Sequence, residues 1–393
     1  MTKKMRHFAA YCAFVATICY LIIMFAVLSV GNGVNHGDFI QYWAAGQQLA
    51  HRANPYDPTA LLRLEQAVGQ KDNTPLVTFS PPVILFLVWP LGFLSPKAAV
   101  IVWLLLLLVS LSVSLRILWI LNGRREDHLE LCGYLFAPAL ACFLSGQLGI
   151  FLLLGIVLFL YLYESSPYFA GAALLPCTFK PHLFLPFGIV LLLWLINCKA
   201  YRILVGFSAI LVLVCAFPLF FDVHVWSQYA QMMSTTGVLH RFLPTLSVAF
   251  RSLIDWEAVW LQFIPEVAAC IWALWYFWKQ GTRWNWMNQG LFVLLISALC
   301  TPYGWFVDET VLLPAVLAGV YRAVGSRRSL MPIGLVGAGV LIEFLVVPQM
   351  NSRFYLWTVP TWLVWYIYAT RNESTHVDGI RSTAEQTTFM PSS

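Results

Sequence analysis

Thirteen apolar runs divide the chain, at 8–30, 81–95, 98–121, 131–144, 147–163, 168–179, 182–197, 202–221, 259–278, 288–300, 309–321, 332–347 and 354–370. Runs this long and this apolar predict helices, and a helix needs about 20 such residues to cross a bilayer. Several of the thirteen are shorter than that. Two polar stretches between them are long, 31–80 and 222–258. Connections of that length usually carry function. The opening run follows a basic start, "MTKKMRHFAAYC", and exceeds a signal-peptide core of roughly 7–15 residues. It reads as a retained first helix that begins in the cytoplasm.

Charge orients the helices. Five connections carry basic residues: Arg124/Arg125, Lys199/Arg202, Lys279/Arg283, Arg322/Arg327/Arg328 and Arg371. The positive-inside rule places them in the cytoplasm. The stretches 31–80, 222–258, 301–308 and 348–353 then lie outside. One parity conflict remains, because two apolar runs separate 31–80 from the loop at 124 where one crossing is needed. The run "SPPVILFLVWPLGFLSP" is short and edged by prolines. It is re-entrant, or else the loop at 124 faces outward. The first choice gives about twelve crossings with both termini inside. Composition agrees: 60% of the 393 residues are hydrophobic and 10% charged, against about 25% charged in soluble domains. The expectation is an all-α, polytopic transmembrane helical bundle forming one domain over 1–370. A polar, disordered cytoplasmic tail follows at 371–393. The net charge of +5 fits basic loops and gives no reason to invoke nucleic acid. The nine cysteines are scattered without a CxxC pair and read as small buried side chains.

In "GDFIQYWAAGQQLAHRANPYDP", Phe39, Tyr42, Trp43 and Gly46 recur at helical spacing. This predicts a short amphipathic helix in the outer interface, with Asp38 at its N-cap position. Asp38 caps that helix, or it is a general base at the membrane surface. "LSGQLG" (144–149) breaks an apolar hairpin, either as a tight turn or to let Gln147 meet a sugar hydroxyl. In "CTFKPHLFLP" Lys180 interrupts an uncharged region, and Pro181 breaks the helix. A buried charge in such a region is a functional-site hypothesis by default. A helix restarting there would present free N–H groups to an anion. The other reading is that Lys180 snorkels to the interface. His182 is positioned to donate to the same anion. Arg241 or Arg251 could neutralise a phosphate or diphosphate, or pair with Asp255 or Glu257. "TPYGWFVDE" brings Asp308 and Glu309 to a helix start, where they complement its dipole. Glu343 is a lone acid in an apolar run.

The order of "DFIQYWAAGQQLAHRANPYDP", "FSPPVILFLVWPLGFLSPKAAVIVW", "SGQLGIFLLLG" and "FKPHLFLPFGIVLLL" resembles glycosyltransferase family 87, of the GT-C superfamily, over roughly 38–193. Two departures stand out. Phe79-Ser80 precedes the proline pair where the family commonly has an aromatic residue. Trp305 is followed by Phe306, Val307 and Asp308 where a His is often found. The resemblance implies a GT-C-like bundle in the plasma membrane, working at the extracytoplasmic face. It implies a polyprenyl-phosphate-linked sugar as donor, mannose by default, and a glycolipid or glycan as acceptor. Asp38 would be the base, Lys180, Arg241 and His182 would bind the donor phosphate, and Tyr42, Gln147, Tyr303 and Asp308 would contact sugar or acceptor. The resemblance asks for no cofactor and no metal. A transporter or flippase of a lipid-linked glycan is the principal alternative, and a structural envelope subunit a third.

Overall fold

The computed structural model describes residues 37–71, 73–235, 241–347 and 349–371, with isolated positions 15, 18, 20 and 22. Most of the first apolar run and the tail beyond Arg371 lie outside the described residues. The rest is helical, with no strand among the described residues. The first long polar stretch forms α1 (Phe39–Ala50) and α2 (Pro58–Ala67). The chain continues through α3 (Pro96–Leu121), α4 (Ala137–Ser145), α5 (Gly149–Leu162), α6 (Pro167–Ala173), α7 (Leu185–Asn197) and α8 (Tyr201–Ala216). The second polar stretch holds α9 (Val225–Thr235) and α10 (Leu246–Ile254). Then come α11 (Ile264–Gln280), α12 (Leu291–Cys300), α13 (Leu313–Gly325), α14 (Met331–Val346) and α15 (Thr358–Thr370).

Among the described residues, three helical stretches are long and apolar enough to cross a bilayer: Pro96–Leu121, Tyr201–Phe220 and Val259–Gln280. Five others are apolar and shorter. Prolines set many starts, as at Pro96 in α3 and Pro167 in α6, where the missing N–H costs no helical bond. The run expected to be re-entrant is a broken piece of helix. It is 3₁₀ at Pro82–Ile84, α at Leu85–Val88 and 3₁₀ again at Trp89–Phe93.

Glycines let backbones touch where this bundle needs it. A Cβ on Gly46 of α1 would lie 2.2 Å from the Val88 carbonyl oxygen, and one on Gly92 would lie 2.4 Å from Gly46. Likewise a Cβ on Gly171 of α6 would meet Ile203 O of α8 at 2.0 Å. Close crossings at small residues are how apolar helices associate in lipid, where no hydrophobic drive separates protein from solvent. One consequence concerns α1. It forms where the spacing predicted, and protein encloses it on nearly every side: Phe39 to Gly46 are all buried, with Leu49.

Candidate active site

The first polar stretch, the break at 145–149, the break at 179–182 and the turn at 303–305 converge on one cavity of about 280 Å³. Asp38 enters it from the start of α1. Its backbone N–H donates to Ser145 O at 2.9 Å, which docks α1 on the end of α4. The contact is tight on both sides. Gly37 and Gly146 have positive φ, and a Cβ on Gly146 would sit 2.6 Å from Phe39 Cβ. Only glycine holds such a backbone without strain.

Asp38 occupies the N-cap position, yet its side chain makes no capping hydrogen bond. The carboxylate turns away from the helix, and Gln147 Nε2 donates to Oδ2 at 2.6 Å. Gln147 is itself fixed. Its Oε1 accepts from the Tyr42 hydroxyl at 2.9 Å and from Leu148 N at 3.4 Å. Tyr42 stacks on Trp103 of α3, whose Nε1 donates to Gly146 O at 2.8 Å. The break in "LSGQLG" is therefore both a turn and a clamp. Burial raises the Asp38 pKa above the ordinary carboxylate range. The Gln147 N–H and the Lys180 charge pull it down, and Asp308 pushes it up. Asp38 thus does not cap α1 through its side chain: the bond on its carboxylate comes from Gln147 instead.

Lys180 lies in the cavity wall and is buried. Its Nζ donates to Asp308 Oδ1 at 2.7 Å, and the Trp305 ring centroid is 5.3 Å away. Asp308 Oδ2 accepts from Trp305 N at 3.0 Å. An ammonium has three donors, and Asp308 takes one of them. The snorkelling alternative does not hold, since the side chain points to an internal acid. Nor does a row of free N–H groups follow. The chain after Lys180 is a 3₁₀ turn, Pro181–Phe184, with no N–H at Pro181 and Leu183 N donating back to Lys180 O. His182 lines the same wall, its ring tilted by 36° to that of Tyr303 with the centroids 4.0 Å apart, and its Nε2 is buried without a hydrogen-bond partner among the described residues. Arg241 reaches the cavity from the second polar stretch, where it is exposed.

Other expected residues fall elsewhere. Asp308 sits behind Lys180, outside the cavity lining. Arg251 is not at the site. It is buried in α10, donating to Trp256 O at 2.6 Å and Gln262 Oε1 at 2.9 Å. Glu309 points away and accepts from Thr358 and Trp362 of α15. Glu343 accepts from Trp357 Nε1 at 2.8 Å.

The sequence reading missed three contributors. Gln41 of α1 lines the cavity, three residues from Asp38 and thus on the same helix face. Its spacing from Asp38 was the available signal. Trp305 roofs Lys180. The extended strap Thr74–Pro81 forms a whole wall. It has no periodicity to announce it, and side chains hold it: Glu65 accepts from Leu76 N at 3.1 Å, and Tyr229 donates to Phe79 O at 3.2 Å.

A comparison with family models matches residues 79–302 to glycosyltransferase family 87. The match includes Gln147, Lys180, His182 and Arg241. It starts after Asp38 and ends before Tyr303. Comparison with curated proteins gave no match, and comparison with solved structures gave none. The match spans more than half of this apolar, helical chain, which belongs to glycosyltransferase family 87 and is a glycosyltransferase.

Proposed function

We propose that the protein is an inverting glycosyltransferase. It moves a sugar, mannose in the first instance, from a polyprenyl-phosphate donor to a glycolipid or glycan acceptor at the extracytoplasmic face of the plasma membrane. The observation that carries this reading is the meeting, in the lining of one cavity, of a clamped carboxylate, Asp38, with the cationic side chains Lys180 and Arg241 and with His182.

The chemistry follows from that meeting. Asp38 takes the proton of the acceptor hydroxyl as its oxygen attacks the anomeric carbon. The bond from that carbon to the phosphate oxygen breaks in the same step. Negative charge grows on the departing polyprenyl phosphate, and Lys180 and Arg241 stabilise it, with His182 donating from Nε2 or holding a phosphate oxygen through a water. One displacement inverts the anomeric centre, so a β-linked donor yields an α-linked product. A raised Asp38 pKa suits a base that must accept a hydroxyl proton.

The test is transfer by the purified protein in lipid from polyprenyl-phosphate mannose, glucose and arabinose to a pool of envelope glycolipids. The expected result is transfer from one donor with inverted anomeric configuration in the product. Retention of configuration, or a requirement for a nucleotide sugar, would sink the reading.

A further inference from the structure

Two glutamines face the cavity, and they are bonded in opposite ways. Gln147 spends both ends of its amide on protein, on Asp38, Tyr42 and Leu148. Gln41 spends neither end. It is only 8% exposed, its exposed edge faces the cavity, and no hydrogen bond reaches its side chain among the described residues. Buried amides in folded proteins are almost always bonded. The Gln41 amide instead opens onto the cavity, where a ligand rather than protein is free to bond it.

Its position says which ligand. Gln41 follows Asp38 by three residues, so the two side chains project from the same face of α1. The cationic groups stand on other elements, at the 180–182 break and near Arg241. A neutral amide offers one acceptor and two donor hydrogens. That set matches a hydroxyl, which both donates and accepts, rather than a phosphate, which only accepts. A hydroxyl beside the one that Asp38 addresses would be within reach of Gln41.

We propose that Gln41 is the residue through which the cavity recognises a sugar hydroxyl adjacent to the reacting one, so that the acceptor is a sugar bearing neighbouring hydroxyls rather than a lone alcohol. The substrate-binding role expected for Gln147 passes to Gln41, and Gln147 positions the base. The proposal rests on the reading of Asp38 given above.

The experiment uses full-length protein in lipid with polyprenyl-phosphate mannose as donor. Acceptors are an alkyl α-mannoside and its monodeoxy analogues. Wild type is compared with Gln41→Met, which keeps volume and removes hydrogen bonding, and with Gln147→Met. Wild type is expected to prefer the parent acceptor over one deoxy analogue by about five- to ten-fold in kcat/KM, the worth of one neutral hydrogen bond. Gln41→Met erases that preference through KM, with kcat little changed. Gln147→Met keeps the preference and loses kcat. If Gln41→Met weakens KM for the donor instead, the recognised hydroxyl belongs to the donor sugar, and the acceptor assignment falls. An unchanged preference and unchanged KM values in Gln41→Met overturn the proposal. Failure of the base reading shows separately, as transfer that persists in Asp38→Asn.

Discussion

Gln147 Nε2 lies 2.6 Å from Asp38 Oδ2, across 109 residues of chain, and Tyr42 fixes the amide so that a hydrogen rather than an oxygen faces the acid. The hydrogen bond favours the ionised carboxylate against the desolvation that raises its pKa. Gln147→Leu removes that bond. The acidic limb of the kcat/KM–pH profile is expected to move to higher pH, because the raised pKa rises further. The kcat is expected to fall about ten- to a hundred-fold, in the range of lost positioning. A limb that stays in place would detach Gln147 from the base.

Lys180 and Asp308 form a buried pair at 2.7 Å. Removing one partner leaves an uncompensated charge, at a cost of about 3–5 kcal/mol. Asp308→Ala should therefore unfold at markedly lower temperature than wild type. Combining Lys180→Met with Asp308→Asn should restore much of that stability and none of the transfer. A double variant that transfers sugar at the wild-type rate would remove Lys180 from the phosphate site.

Glu65 of α2 is fully buried, and its pKa is raised to about 7 by burial, with the Leu76 N–H opposing. The folded value lies above the unfolded value near 4.3, so the folded chain holds more protons between these limits. The contribution of Glu65 to stability is then fully present below about pH 4, falls as pH rises through that window and is lost above about pH 7. The loss is on the order of 2 kcal/mol after discounting for screening. In lipid at pH 8, Glu65→Gln should raise the unfolding temperature and flatten its pH dependence between 5 and 8. The variant still presents an oxygen to Leu76 N, so the strap stays in place. A pH dependence equal to wild type would assign the slope to other groups.

Gly46 and Gly188 make a controlled pair. A Cβ on Gly46 would meet Val88 O at 2.2 Å, whereas one on Gly188 meets nothing within 4 Å. Gly46→Ala must separate α1 from the broken helix at 82–93 and should cost several kcal/mol, or the yield of monodisperse protein. Gly188→Ala should be neutral or slightly stabilising, since alanine is the better helix former. Equal thermal unfolding of the two variants would contradict the crossing.

The helices were legible because apolar runs report burial in lipid directly, and the breaks at 144–149, 179–182 and 301–305 were legible because glycine, proline and charge interrupt those runs. Which breaks meet was not legible. That depends on backbone crossings at Gly46–Gly92 and Gly37–Ser145, which join segments far apart in sequence. The strap at 74–81 was invisible for a related reason: side chains of Glu65 and Tyr229 hold it, and no repeating pattern does. Arg251 looked equal to Arg241 on charge alone, and only its bonds to Trp256 and Gln262 separate them. Gln147 drew notice for its chemistry and Gln41 did not, although Gln41 is the one with open hydrogen-bonding capacity.

The most direct measurement compares wild type with Asp38→Asn in lipid, reading both sugar transfer and binding of the proposed polyprenyl-phosphate donor. Asparagine keeps the size of the side chain and the contact with Gln147, through a flipped amide, but cannot take a proton. The expected result is donor binding within about two-fold of wild type and transfer reduced at least about a thousand-fold, within the range of general-base and electrostatic contributions combined. Transfer by Asp38→Asn at a rate near wild type would contradict the assignment and leave the base to be sought among the cavity's other groups.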